Sequence, residues 1–472
     1  MDCVTVVTVS DERAAGPDRP TAHITPPSGW LSDPNGLVLV GATYHVYYQA
    51  YPNKSDWGPM HWGHATSSDL VTWHHQPIAL YPDADGMIFS GSCVVDRNDL
   101  LGFGPQTLVA FFTRHHEGEE TQCIAVSTDG GFTWSRPRRD PVLRSPNNRR
   151  DFRDPVVFEW VGESGEPEDT WWVMMLTAGP GVEFYRSRTM IEWELLSRFA
   201  EPGADAPTLE TPSLVRLADD EGRHHWVLTV GWMEGGPETA TAMKYIVGEF
   251  DGRSFTPGVG SRFRPVDCGP DFYAAQSFRL APQPLWMAWM ANWRWARRGR
   301  RTSWRGVLSL ARTLGLLSVD GQPLLTQWPV GGSAGAAPST VGSERASVDA
   351  FGSTELPVAL GAIFVDVGVV SGAVGAVVVE TSTGECATLE WDDRELTLRV
   401  TATRWLDGAA SRPMTTESLS RLARPIVGPC RLVIDVCTVE LFLDNGLAVA
   451  SLAFEPGSHF TSAHVRGAIA SW

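Results

Sequence analysis

The chain has 472 residues, too many for one ordinary core, so its length points to two domains or one large repeat architecture. Its hydrophobic share of 43% and charged share of 20% are those of a globular protein, and the net charge of −17 argues against nucleic acid or an anionic membrane surface, which need a basic face. A neutral or cationic substrate is left, and a homo-oligomer is left open.

Seven Cys with no Cys-x-x-Cys pair indicate neither a disulfide framework nor a zinc site, and a reducing compartment fits best. The first residues, Met1-Asp-Cys-Val-Thr-Val-Val7, lack a basic segment followed by an apolar run, so the chain reads as cytoplasmic. A chain trimmed of an export signal would read the same. Residues 1–19 are taken as an N-terminal extension.

From residue 20 onward the pattern is short apolar, β-prone runs between turns: Tyr44–Gln49, Leu108–Thr113, Trp171–Leu176, His225–Val230 and Leu285–Met290. No long helix is visible. Ser67-Ser-Asp69…Trp73, Ser127-Thr-Asp129…Trp134 and Ser187…Trp193 recur at a spacing of sixty, with a fainter echo at Gly248–Phe255. That period predicts an all-β fold, a five-bladed β-propeller over residues 20–328, with these corners acting as blade staples. The segment 329–349 reads by its Gly, Ala and Ser content as a linker, and the alternating runs of 350–472 as a C-terminal β-sandwich without catalytic groups.

The candidate site follows from the period. Asp33 sits in the rigid corner Trp30-Leu-Ser-Asp-Pro-Asn-Gly36, where Pro fixes φ and Asn-Gly accepts a left-handed backbone. Steps of sixty from Asp33 reach Phe89-Ser-Gly-Ser92, Arg153-Asp154-Pro155, Glu210-Thr-Pro212 and Asp271-Phe-Tyr273. Equivalent positions of successive blades converge on one axis, so Asp33, Asp154 and Glu210 are expected to share a funnel in which repulsion and burial separate their pKa values. Paired carboxylates of this kind serve glycoside cleavage, one as acid and one on the opposite face of the sugar. The set brings no His, which argues against a transition metal, and no phased His accompanies the serines, which argues against a Ser-His-Asp triad. No metal and no cofactor is expected.

These motifs, together with Gln49, Met60-His-Trp-Gly-His-Ala65 and Trp304-Arg-Gly306, resemble glycoside hydrolase family 32, the invertases, fructan β-fructosidases and sucrose-6-phosphate hydrolases. The resemblance implies a propeller followed by a sandwich and a retaining hydrolase of β-fructofuranosidic bonds in sucrose or fructans. Asp33 would be the nucleophile, Glu210 the acid/base, and Asp154 beside Arg153 the stabiliser of the transition state. Gln49, Trp57, Phe89, Ser90, Tyr273 and Trp293 would line the sugar pocket.

Two positions depart from the family motif: Ser32 stands for Asn before the nucleophile, a change associated with fructosyl transfer, and Thr211 for Cys after the acid/base. A fructosyltransferase is therefore the alternative, with a non-catalytic fructan-binding protein behind it. A sialidase-like reading, suggested by the Asp-box at Ser127–Trp134, is disfavoured by the five-fold period and the lack of a phased arginine triad. Linkage preference is expected to depend on loops 115–121 and 296–304, and the run Arg297-Arg298-Gly-Arg300-Arg301 reads as a solvated loop able to meet a phosphorylated sugar or a partner.

Overall fold

A computed structural model of the chain describes residues 3–9, 19–138, 140–146, 149–162, 164, 166, 169–200, 207–233, 241–297, 302–331, 341–347, 353–356, 362–367, 375–382, 386–392, 394–401, 415–454 and 459–467. Among these the only helix is the single turn Trp293–Ala296.

Five antiparallel sheets make up the first part. Their first strands are Gly29–Val40, Met87–Asp96, Phe152–Val161, Leu209–Ala218 and Tyr273–Ser277, and each sheet then grows outward in chain order. The first strand of each sheet packs against that of the next, and the fifth returns to the first, so the five blades form a closed ring. This is the five-bladed β-propeller expected from the period.

One apolar cluster fills each gap between blades. Trp62 and Ile88 lie between blades 1 and 2, Phe111 and Met174 between 2 and 3, and Phe184 and Leu228 between 3 and 4. Trp286 and Val227 lie between 4 and 5, and Trp30 and Trp289 between 5 and 1. A blade is covered on both faces, which is why its second strand reads as a continuous apolar run and not an alternating one. The ring is sealed by hydrogen bonds as well. Trp304–Arg305 pairs in parallel with Gly29 and Trp30, and the Arg279 backbone bonds Leu37 and Leu39. Gly306 allows this closure: at φ 97° its Cα lies so near the Leu31 carbonyl that a Cβ would approach it to 1.9 Å.

The Ser-Asp-Trp echoes are the expected staples. Ser127 Oγ donates to Asp129, whose carboxylate accepts the Phe132 and Thr133 amides, and Trp134 Nε1 donates to the Gly131 carbonyl. Asp69 caps Val71 and Thr72 in the same way.

The last part is two six-stranded sheets over one apolar core that includes Trp391, Leu432 and Val465. Two expectations are corrected here. The N-terminal extension contains the strand Cys3–Val9, and the segment read as a linker contains the strand Val341–Ser347; the two pair with each other, and Cys3–Val9 also pairs with Ala362–Val367. Composition pointed to a linker because Gly-Gly-Ser-Ala-Gly-Ala-Ala dominates that segment, whereas the Val-Gly-Ser-Glu-Arg-Ala-Ser run that follows gains its strand from a partner far away in sequence.

A buried polar network fastens sandwich to propeller. Arg312 of blade 5 donates to Asp267, Gln327, Glu440 and Ser451, and His23 bridges Asp435 at 2.8 Å and Glu440 at 3.3 Å. Burial opposes the charge on His23, but the two carboxylates override it and raise its pKa to about 9.

Candidate active site

Every one of the five inner strands breaks register at the same height. The breaks fall between Leu31 and Pro34, Ile88 and Gly91, Arg153 and Val156, Glu210 and Ser213, and Tyr273 and Gln276. A β-bulge turns a side chain that would lie between blades toward the axis instead. In three blades the residue after the break is left-handed: Asp154 at φ 63°, Thr211 at φ 44° and Ala274 at φ 55°. Such backbone costs a non-glycine residue about 1 kcal/mol or more, more for β-branched Thr, and strain of this kind gathers at functional sites.

The bulges open onto a cavity of about 400 Å³ lined by Asp33, Asp154 and Glu210 together with Ser32, Gln49, Trp57, Phe89, Ser90, Arg153 and Trp293. The structure thus brings the expected residues together, and Tyr273 joins them through its hydroxyl on Glu210. Of the fifth phased stretch, Asp271 points elsewhere: its carboxylate accepts the Ala453 amide of the sandwich.

Each carboxylate has a distinct environment. Asp33 accepts the Ser90 hydroxyl on Oδ2 at 2.8 Å, while Oδ1 is buried with no partner. Burial first, and the Glu210 charge second, push the Asp33 carboxyl up to about 6, against the pull of the Ser90 and Ser32 hydroxyls. Ser32 is buried beside the nucleophile candidate, so its departure from the family motif is felt at that carboxylate.

Asp154 is fully enclosed and accepts the Thr211 amide at 2.8 Å. Burial raises its pKa well above the carboxylate range; Arg153 opposes this and Glu210 adds to it. The contact comes from the Thr211 backbone, whereas the Thr211 hydroxyl is buried without a partner. That second departure therefore acts through the strained main chain.

Glu210 is held from two sides, by Arg153 Nη2 at 3.1 Å and by the Tyr273 hydroxyl at 2.9 Å. Burial, then the Glu210 charge, raise the Tyr273 phenol far above its usual range, so it stays a donor.

The rim is aromatic. Trp293 stacks on Trp30 with ring centres 6.0 Å apart, and Trp57 meets Phe89 edge-on at 6.3 Å. Flat apolar faces around a few fixed polar groups suit a sugar ring. Gln49 leaves Nε2 buried and unpartnered in the same cavity, a donor available to a hydroxyl.

Residues the period did not indicate also line the cavity: Met60, His115, Glu120, Asp151, Met233 and Arg297. His115 and Glu120 lie within the segment 115–121 marked in the sequence, and Arg297 opens the arginine run. Its guanidinium is exposed and lies 5.0 Å from the Trp57 ring and 4.8 Å from the Trp293 ring, so this first arginine is solvated and at the same time stands at the cavity mouth. Arg298, Arg300 and Arg301 lie outside the described residues.

Comparison with known proteins places this site in context. The chain is 40% identical over 323 residues to a levanase of Bacillus subtilis, a match covering 66% of this chain and 47% of the levanase. It is 34% identical over 353 residues to the extracellular exo-inulinase inuE of Aspergillus niger, covering 66% of this chain and 65% of that protein. The chain thus spans about half of the levanase and just under two thirds of the exo-inulinase. Among solved structures, an exo-inulinase from Aspergillus awamori superposes with a TM-score of 0.77 at 27% identity, covering 98% of this chain and 100% of that one. A β-fructofuranosidase from Schwanniomyces occidentalis complexed with fructosyl-erythritol gives 0.76 at 26% identity, covering 98% and 97%. The family model of the glycosyl hydrolases family 32 N-terminal domain matches residues 23–329, the whole ring of blades and its cavity. By fold, by cavity and by sequence, this chain belongs to glycosyl hydrolase family 32.

Proposed function

We propose that the chain is a retaining β-fructofuranosidase, releasing fructose from sucrose or fructans through a covalent fructosyl-enzyme. The observation that carries this reading is one cavity holding both Asp33, with an unpartnered carboxylate oxygen, and a Glu210 held by a cation and a phenol.

In the first step Asp33 Oδ attacks the anomeric carbon while the bond to the leaving oxygen breaks, and Glu210 gives its proton to that oxygen. Glu210 is then an anion, and Arg153 and Tyr273 already face it. In the second step Glu210 takes a proton from water as the water oxygen attacks the anomeric carbon, and Asp33 departs as carboxylate. Asp154 and the free Gln49 amide hold fructose hydroxyls, and the field of Arg153 balances three acids in one enclosed space. Two relatives named levanase and exo-inulinase, and a neighbour bound to fructosyl-erythritol, support fructosides as the substrate class.

The buried Ser32 beside Asp33 favours transfer as the second reading, in which a sugar hydroxyl intercepts the intermediate in place of water. Fructose and glucose release from sucrose, inulin and levan, with product chains resolved at high sugar, separates the two. Free fructose in excess of glucose-equivalents retained in longer chains supports hydrolysis; chain growth supports transfer. An Asp33→Ala variant that keeps wild-type turnover would refute the assignment.

A further inference from the structure

Glu120 is a buried carboxylate on the third strand of blade 2, Glu119–Ser127, outside the five inner strands that supply the reacting acids. It lines the cavity all the same, and three groups from two neighbouring strands converge on it. Arg153 Nη1 lies 3.1 Å from one of its oxygens and 3.3 Å from the other, the Phe152 amide donates at 2.7 Å, and His115 Nδ1 lies at 3.3 Å. Arg153 turns its other nitrogen, Nη2, to Glu210, and His115 lies flat on Phe89 with ring centres 4.6 Å apart at 13°.

Resting on the hydrolase reading above, we propose that Glu120 is a positioning residue for the acid/base step, holding Arg153 against Glu210 and His115 against the Phe89 wall. A salt bridge serving stability alone needs one partner. This carboxylate instead ends on two residues that each face a different part of the cavity.

The charge of Arg153 is divided among Glu120, Asp151 at 2.8 Å, Glu210 and the nearby Asp154. The titratable groups facing Glu120 and Glu210 are His115 from the adjoining strand, Arg153, Asp151 and Asp154 from blade 3, Tyr273 from blade 5 and Asp33 from blade 1. Burial acts to raise the Glu120 pKa, but His115, Arg153 and the Phe152 amide bring it below the usual range, so Glu120 is an anion wherever the enzyme works. Removing that anion leaves Arg153 with one carboxylate fewer to share, so more of its charge falls on Glu210. Shortening the side chain keeps the field but loosens the geometry.

The test is the pH profile of kcat/KM for sucrose with wild type, E120Q, E120D and H115N. In E120Q the alkaline limb moves to lower pH by about half to one unit, a roughly 3–10-fold loss on that limb, as removal of one nearby charge predicts. E120D keeps the limb and loses kcat. H115N cuts only the arm to Phe89, so KM rises with the limb fixed, and this variant keeps the test open if E120Q does not fold. An unmoved limb in E120Q, an equal shift in E120D, or an unchanged KM in H115N overturns the inference while the hydrolase reading stands. No turnover by wild type would instead overturn the hydrolase reading, and this inference with it.

Discussion

Replacing Asp33 by Asn removes the proposed attacking group and should make the protein more stable. Folding raises the Asp33 carboxyl from 3.8 to about 6 because the charged form is buried next to Glu210. The folded protein therefore holds this proton more tightly than the unfolded chain does, and stability falls as pH rises from about 4 to about 6. Above pH 6 the full cost of the buried anion is present. At about 1.4 kcal/mol per pH unit that cost is about 3 kcal/mol, an upper figure because Asp33 is only half-buried and water screens part of it. Asn keeps an oxygen to accept the Ser90 hydroxyl, so little else is lost. Melting by calorimetry should then show Asp33→Asn about 2–5 °C above wild type at pH 7.5, with the gap closed at pH 4, on the usual scale for a large domain. The same titration places the acidic limb of wild-type kcat/KM near pH 6. A variant that melts below wild type at pH 7.5, or whose advantage persists at pH 4, would refute the electrostatic account of this cavity.

Glu210→Ala should lower kcat on sucrose by about 10²–10⁴-fold, the worth of a positioned acid, with far smaller loss on a fructoside whose leaving group needs no proton; equal loss on both substrates would contradict the assigned role. Arg297→Ala removes the cation lying over Trp57 and Trp293 and should raise KM by about 3–10-fold with kcat kept, since each such contact is worth about 1 kcal/mol; an unchanged KM would exclude Arg297 from the mouth. The His23 imidazolium, with pKa raised from 6.5 to about 9, contributes stability fully below pH 6.5 and loses it as pH rises through 9. Wild type should therefore lose about 3 kcal/mol between those limits, and His23→Gln should show a lower Tm at pH 6.5 and a flatter slope; parallel curves would show that the latch carries no charge.

The period of sixty made the ring and its three acids legible, because superposed repeats carry equivalent positions to one axis without any knowledge of the strands between. The bulges were not legible. A register break is a relation between two strands, and nothing in Arg153-Asp154-Pro155 alone says that Asp154 leaves the plane of its sheet. Glu120 and His115 fall within the segment 115–121 marked in the sequence, but their individual parts stayed hidden for a related reason: they come from the third and second strands of blade 2 and reach the cavity only through the lengths of their side chains and the stagger of the hairpin. Arg297 was noticed but read by its neighbours, and a cluster of arginines looks solvated until two tryptophans are found beneath its first member.

The strand Cys3–Val9 has a consequence for how the protein is made. It emerges early in synthesis, yet both of its partners, Val341–Ser347 and Ala362–Val367, emerge after all five blades. Contacts of such long range form late, because the loop they close must be held first. The blades can therefore close on themselves while the strand Cys3–Val9 waits as an unpaired ribbon, and the second domain can finish only after Phe460–Gly467 has emerged. Until that moment Cys3–Val9 is an open edge, able to add itself to any exposed sheet nearby.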